Sequence, residues 1–308
     1  MKGWTAIAGA VGLLLATSGC AAVDDGPKPG MVLGSGEARE VTGTDGVGLA
    51  AWRPDEDEHC PPLAKGLLNT PQTAAYARSM ERTLAARGVD VALVFHQSGT
   101  PRAIMPANVR YVHGAIWVRQ NPGAAGQPVY ATYNLLPGYG TTPCYRSALV
   151  TWSAEDFNQN LTALDSAVIV PTSALQAKIR ALVLSPAYPA LHNPAFAVTA
   201  NPLEERYQNC AGLILHVVVA AAWDVPDHVR INQIIRETFT PSSLKVIAPI
   251  RIFSPLVSSR TAADDQNWTV ATASFESIDA FMKARALSLE TFIFYFDPRP
   301  PAPSGLKR

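Results

Sequence analysis

The 308-residue sequence has few cysteines and no excess of charge of either sign. Its 25 lysines and arginines balance its 25 aspartates and glutamates, and only four residues are cysteine. Because nucleic-acid phosphates are bound by clustered lysine and arginine, the absence of a basic stripe argues against a nucleic-acid-binding protein. No histidine, cysteine and aspartate cluster has metal-ligand spacing, so neither a metal nor a cofactor is expected. The segment VLGSGEA lacks the following apolar helix that a phosphate-binding loop needs.

The first 20 residues have the pattern of a bacterial lipoprotein signal. Lys2 gives a positive start, residues 6–16 are apolar but short for a bilayer span, and LLATSGC ends at Cys20. The pattern predicts lipidation at Cys20 and export to the cell envelope. The protein would then be anchored in the membrane by that lipid and face the periplasm or the cell exterior. Since Thr17 stands where an aliphatic residue is usual, plain secretion and a transmembrane anchor are the alternatives.

Composition divides the rest of the chain into a tether, one domain and a tail. Residues 21–69 begin with a stretch rich in glycine, aspartate and proline and are predicted to form a flexible tether. Residues 70–296 carry periodic apolar segments, which predict one domain with a sizeable core. The last segment, residues 297–308, reads DPRPPAPSGLKR and is predicted to be disordered.

Three cysteines are left once Cys20 is assigned to the lipid. They are Cys60, Cys144 and Cys210. In an oxidising compartment an odd number leaves either a free thiol or an intermolecular bridge. The simplest pairing joins Cys60 to Cys144 and leaves Cys210 reduced.

Helical and strand patterns occur in blocks, which indicates an α+β fold. Thr70 is the expected N-cap of a first helix that stops at Gly88. Strands are predicted over residues 89–95, 110–120, 129–136 and 166–171 and in the final LETFIFYF. One helix or two short ones are predicted over residues 145–161, and further helices are predicted in SALQAKIRALVLS, CAGLILHVVVAAAW, HVRINQIIRETF and SFESIDAFMKARA.

The segment RYQNCAGLILHVVVAAAW places Cys210 at the start of a nearly all-apolar helix. Free backbone N–H groups and the positive end of the helix dipole stabilise a thiolate at such a position. The same N–H groups can bind the oxyanion of an acyl-transfer reaction. Cys210 is therefore interpreted as a nucleophile, as a packed structural cysteine, or as a redox or disulfide partner. Gln208 and Asn209 are candidates to bind the oxyanion, and Asn209 fits a capping role equally well.

A thiol nucleophile needs a base, usually a histidine held by a third polar group. His113 lies inside a predicted strand and is the main candidate, with His96 at the end of another strand as its competitor. If the hairpin turns at residues 123–124, residue 113 lies opposite Asn134, close enough for an orienting hydrogen bond. A register shifted by one residue would instead point Asn134 to the other face.

This ordered set resembles the circularly permuted papain-like fold of NlpC-type hydrolases and lecithin:retinol acyltransferase-like proteins. More closely, RYVHGAIWV, VYATYNLL, YRSAL around Ser147, AVIVP and ERYQNCAGLILHVVVAAAW resemble the bacterial domain-of-unknown-function family 2145 over residues 70–245. The resemblance implies a small antiparallel sheet packed against a Cys-bearing helix, with extra helices. It also implies Cys210 as nucleophile, His113 as general base and a polar residue near Asn134 that orients the base.

The sequence thus predicts an envelope thiol hydrolase or acyltransferase. Cys210 would attack an amide, ester or thioester carbonyl of a peptide or acyl substrate, and His113 would transfer the proton. The acyl-enzyme would then be released by water or by a second acceptor. The alternative is a non-catalytic envelope binding or scaffold module with the same fold.

Overall fold

A computed structural model of the protein describes residues 66–98, 109–139, 143–244, 264–266 and 269–298, together with the backbone of Met31–Val32. The predicted signal segment with Cys20, the predicted disulfide partner Cys60 and most of the predicted tether and tail lie outside the described residues.

The described part of the chain has a mixed α+β fold. The strands are β1 Met31–Val32, β2 Val91–Ser98, β3 His113–Arg119, β4 Tyr130–Pro137, β5 Ser147–Ser153, β6 Leu161–Pro171, β7 Ser242–Leu244, β8 Val270–Thr272 and β9 Ser288–Tyr295. The helices are α1 Thr70–Ala86, α2 Ala154–Phe157, α3 Ser173–Val183, α4 Cys210–Trp223, α5 His228–Thr238 and α6 Phe275–Ala284, with a 3-10 turn at Tyr188–Leu191.

One antiparallel sheet organises the fold. Its order is β1-β5-β4-β3-β2-β6-β9, in which six long strands are joined at one edge by the two-residue β1. Every neighbouring pair in this sheet is antiparallel. Strands β7 and β8 form a separate two-stranded sheet. The predicted α+β class is therefore confirmed.

Two local predictions are wrong. The helix expected over residues 145–161 is strand β5 followed by the single turn α2. Its Val-Thr-Trp run favours a strand, and β5 pairs with β4 along its whole length. Helix α1 is capped by Asn69 rather than by Thr70, because the Asn69 side chain accepts a hydrogen bond from the Gln72 N–H.

Alternation along the strands divides the core between the two faces of the large sheet. On one face, called the α4 face, Leu93 and Ile116 belong to a cluster with residues of α3, α4 and α6. On the other face, called the α1 face, Val94 and Trp117 belong to a cluster with residues of α1. Neighbouring residues of one strand therefore enter different cores.

Helix α4 lies in the centre of its face and is buried on nearly all sides. Twelve of its 14 residues are buried, and it ends at Asp224 with a left-handed φ of 53°. Such uniform apolarity is typical of a helix covered by several neighbours. No single helix in the described ranges is long and apolar enough to span a membrane, and α4 with α5 passes that test only as a pair bent by 98°.

The N-terminal helix and the C-terminal strand of the described domain meet on the α1 face. The ring of Tyr76 in α1 lies 5.2 Å from that of Phe294 in β9 and 5.1 Å from that of Phe296 just beyond it. The Tyr76 hydroxyl also lies 2.6 Å from Ser166 Oγ in β6, the strand that pairs with β9. The core of this face therefore needs both ends of the domain.

Strand β3 packs tightly against Phe95 and α4 at Gly114. A Cβ added there would lie 2.6 Å from the Phe95 ring and 2.9 Å from Ile214 Cδ1. We predict that Gly114→Ala lowers the free energy of unfolding by about 1–3 kcal/mol, because an overpacked core must shift. Urea denaturation would measure this loss.

Gly126→Ala serves as the comparison, because nothing lies within 4 Å of its added Cβ. Gly126 has a φ of 74°. This variant therefore measures only the cost of placing alanine in a left-handed backbone conformation, about 1 kcal/mol. A loss at Gly114 no larger than that at Gly126 would contradict the close packing of β3 on α4.

Candidate functional site around Cys210

Asn209 fixes the start of α4. Its side-chain oxygen accepts a hydrogen bond from the Gly212 N–H at 2.7 Å, which satisfies one of the free donors of the first turn. Its amide nitrogen donates to the Val198 carbonyl at 2.9 Å and to Thr272 Oγ1 at 3.1 Å. Asn209 therefore caps the helix and holds two neighbouring segments against it.

Cys210 is the first residue of α4, and its thiol is buried. The residue is 3% exposed, and Sγ donates to the Val112 carbonyl at 3.7 Å. Cys210 is not disulfide-bonded, whereas Cys144 is. The partner of Cys144 lies outside the described residues, as does the predicted partner Cys60.

A pocket of about 60 Å³ lies beside this thiol. Its walls come from β2, β3, α4, α6 and the segments around Phe196 and Thr272, and they are mostly apolar. Polar groups come from Asn209 and from hydroxyl residues such as Thr199 and Ser274. Among the described residues that line the pocket, none is a histidine, aspartate or glutamate.

His113 lies on the opposite face of the sheet from Cys210. Ile116 faces α4, so alternation directs the side chain of His113 to the α1 face, like that of Trp117. There its ring packs 5.1 Å from the Phe157 ring, which belongs to the α1-face cluster. The structure therefore does not bring together the predicted nucleophile and its predicted base.

Asn134 shares a face with His113 but bonds elsewhere. The hairpin pairs Ile116 with Tyr133, whereas the predicted register would place residue 131 opposite Ile116. The Asn134 amide nitrogen donates to the Thr132 carbonyl at 2.9 Å and to Thr132 Oγ1 at 2.8 Å. Among the described residues, neither ring nitrogen of His113 has a hydrogen-bond partner.

The competing candidate His96 lies directly opposite His113 across β2 and β3. The two rings are 5.2 Å apart, and His96 stacks on Phe157 at 4.2 Å. Burial first, and then the nearby His113, hold the pKa of His96 well below its ordinary value. Both histidines are buried in the core of the α1 face, on the other side of the sheet from Cys210.

Gln208, the other predicted oxyanion candidate, is turned toward a loop. Its side-chain oxygen accepts from the Asn193 N–H at 2.9 Å, and its amide nitrogen donates to the Leu191 carbonyl at 3.0 Å. The two peptide groups that flank His192 are therefore bound by one side chain.

His192 itself contacts a serine that the sequence placed in a helix. Its Nε2 lies 2.9 Å from Ser147 Oγ at the start of β5. Burial first, and then the positive charge of Arg146, lower the pKa of His192 to about 4. Sequence reasoning missed this pair because His192 lies in a proline-rich loop without periodicity; the only signal was Ser147 in the YRSAL segment.

His216 in α4 is buried, and both of its ring nitrogens have hydrogen-bond partners. Its Nδ1 donates to the Gly212 carbonyl at 2.7 Å, and its Nε2 lies 2.8 Å from the Asn232 side-chain amide. The side-chain amide nitrogen of Asn232 in turn lies 2.9 Å from His228 Nδ1. This network ties α4 to α5.

A sequence model of the family described as "uncharacterized protein conserved in bacteria (DUF2145)" matches residues 83–282, well over half of the chain. No curated protein and no solved structure matches the chain. The matched range contains α4, the Cys210 pocket and the Ser147–His192 pair.

We predict different costs for two buried histidines. His113→Phe should leave the free energy of unfolding within about 1 kcal/mol of the wild type, because unpartnered nitrogens contribute no hydrogen bond. His216→Phe should cost about 2 kcal/mol or more, since it removes two hydrogen bonds and leaves polar partners buried. Chemical denaturation of both variants tests this, and equal costs would mean that the nitrogens of His113 have partners.

The lowered pKa of His192 predicts a loss of stability in acid. Between pH about 6.5 and about 4 the unfolded chain binds this proton more readily than the folded one, so stability falls as the pH falls through that range. His192→Gln should remove about 2–3 kcal/mol of the loss between pH 7 and 4.5. Urea titrations of both proteins at the two pH values measure the difference, and equal acid losses would refute it.

Proposed function

The chain belongs to the DUF2145 family of uncharacterized bacterial proteins, and from the site described above we propose that it is an envelope binding module for apolar chain ends. The observation that carries this proposal is the pocket beside Cys210, which is mostly apolar and has no acidic or histidine side chain among its described lining residues. Pockets of this kind bind by excluding water from apolar surface, while a few polar groups orient the ligand.

The dimensions of the pocket define the ligand class. About 60 Å³ accommodates the terminal carbons of an acyl chain or a small apolar side chain, and not a whole lipid. The Thr199 hydroxyl lines the pocket and can meet a polar atom of the ligand, whereas the Asn209 amide and the Ser274 hydroxyl are already bonded to protein groups.

The proposed location supplies such chains. We take Cys20 to carry the lipid anchor and residues 21–69 to be the tether, as the N-terminal sequence predicts. Because Met31–Val32 of this segment pair with β5, about ten residues lead from Cys20 to the sheet, and a flexible chain of that length has a root-mean-square extension of about 17 Å. The domain would then work within reach of the envelope membrane, where acyl chains are abundant.

A second candidate is the thiol hydrolase or acyltransferase of permuted papain-like fold. One observation favours it: Cys210 is the first residue of a 14-residue helix and faces a ligand-sized pocket. Its thiol would lose its proton to a base, attack an acyl carbonyl, expel the alcohol, amine or thiol of the substrate and hold the acyl group as a thioester. This candidate needs a base other than His113, because the sheet separates that imidazole from Sγ.

Binding of the fluorescent fatty acid cis-parinaric acid to the full chain tests the first proposal. We expect saturable binding that Ala211→Leu weakens at least tenfold, because Ala211 lines the pocket. Ala222→Leu, the same change near the far end of α4, should bind like the wild type. Absence of saturable binding to the wild type, or equal binding to both variants, would overturn the proposal.

Alkylation by iodoacetamide, mapped by mass spectrometry across pH 6–9, separates the two candidates. For the binding module we expect slow labelling of Cys210 that the bound fatty acid suppresses and that His113→Phe leaves unchanged. Rapid labelling near neutral pH, together with turnover of a thioester that Cys210→Ser abolishes, would instead establish the enzyme.

A further inference from the structure

A serine hydroxyl and an imidazole meet at a position outside the lining of the Cys210 pocket. Ser147 Oγ lies 2.9 Å from His192 Nε2, and Ser147 is 5% exposed while His192 is partly exposed. Ser147 begins β5 on the α4 face, because its neighbours two and four residues along pair with Leu135 and Tyr133. The contact joins a strand of the sheet to the loop that precedes α4.

Hydrogen bonds to the backbone hold Ser147 and His192 in place. The Ser147 N–H donates to the Pro194 carbonyl at 2.9 Å, and Gln208 binds the peptide groups on both sides of His192 at 2.9 and 3.0 Å. An isolated β-bridge between Arg146 and Ala195 fastens the same loop to the start of β5. A hydroxyl and its base gain most when they are held in one geometry before a substrate arrives.

The protonation state of the His192 ring allows it to accept a proton. The pKa of His192 is lowered to about 4, so the ring is neutral near pH 7. In the tautomer that carries its proton on Nδ1, the Nε2 of a neutral imidazole accepts the hydrogen bond of the hydroxyl that it faces. The Arg146 charge that helps to lower this pKa also favours negative charge developing nearby.

We propose that Ser147 and His192 form a nucleophile–base pair that accepts a small acyl group from a carboxylic ester. Ser147 Oγ bonds to the carbonyl carbon as its proton passes to His192 Nε2. The tetrahedral intermediate then breaks its bond to the alkoxide, which takes the proton from His192 and leaves as an alcohol. Water, with His192 again as base, attacks the acyl-serine, releases the carboxylic acid and restores the hydroxyl.

In this assignment Gln208 is a positioning residue, since it bonds the backbone around His192 and not the reacting atoms. The small exposed fraction of Ser147 limits the acyl group to a short one. The proposal does not depend on the ligand of the Cys210 pocket, because that pocket includes neither Ser147 nor His192 in its described lining.

Acetylation of the full chain by p-nitrophenyl acetate, with peptide mapping, tests the proposal. We expect an acetyl group on Ser147 and a burst of p-nitrophenolate that His192→Gln slows at least tenfold. Ser153→Ala is the matched control at the other end of β5, and it should leave the burst unchanged. In the wild type the burst rate should rise through pH about 4 and stay level to neutral pH, since His192 is already neutral there.

Three results would overturn the assignment. They are an unmodified Ser147 in the folded wild type, an undiminished burst in His192→Gln, and a rate that rises near pH 6.5 as for an exposed histidine. Mapping the acetyl group distinguishes Ser147 from Cys210, so neither failure nor success here decides the ligand of the pocket.

Discussion

The burial of α4 is the constraint on which the rest of the structure depends. A helix that is apolar on every side must be covered on every side, and the sheet, α3, α5 and α6 provide that cover. Each fully buried aliphatic side chain of the helix contributes about 1.5–3 kcal/mol. The cap at Asn209 then fixes where the helix starts, and through Val198 and Thr272 it also places the walls of the pocket.

Much of this arrangement was predictable from local pattern. The apolar run predicts α4, the asparagine before it predicts the cap, and the alternating segments predict strands β3 and β4. The face of the sheet on which the His113 side chain lies was not predictable in the same way. Whether a strand residue faces one helix or another depends on which side of the sheet each helix covers, and this is a tertiary choice that leaves no periodicity in the sequence.

The error at β5 and the missed histidine have a common physical origin. The stretch after Tyr145 has no strong helical or strand period beyond its Val-Thr-Trp run, and pairing with β4 along its whole length makes it a strand. Once it is a strand, Ser147 stands at the sheet end where the loop with His192 returns. The structure therefore places His192 beside Ser147 and His113 on the face opposite Cys210. Gln208 of the RYQNC segment serves the serine's histidine and not the cysteine.

The meeting of Tyr76 with Phe294 and Phe296 has a consequence for how the chain is made. During synthesis the N-terminal helix emerges early, but the strand that completes its core is among the last described segments to emerge. Contacts of such long sequence separation form slowly, because a large loop must close first. The α1 face therefore stays open until β9 has been synthesised. A nascent chain halted before β9 would keep this surface exposed to chaperones and proteases.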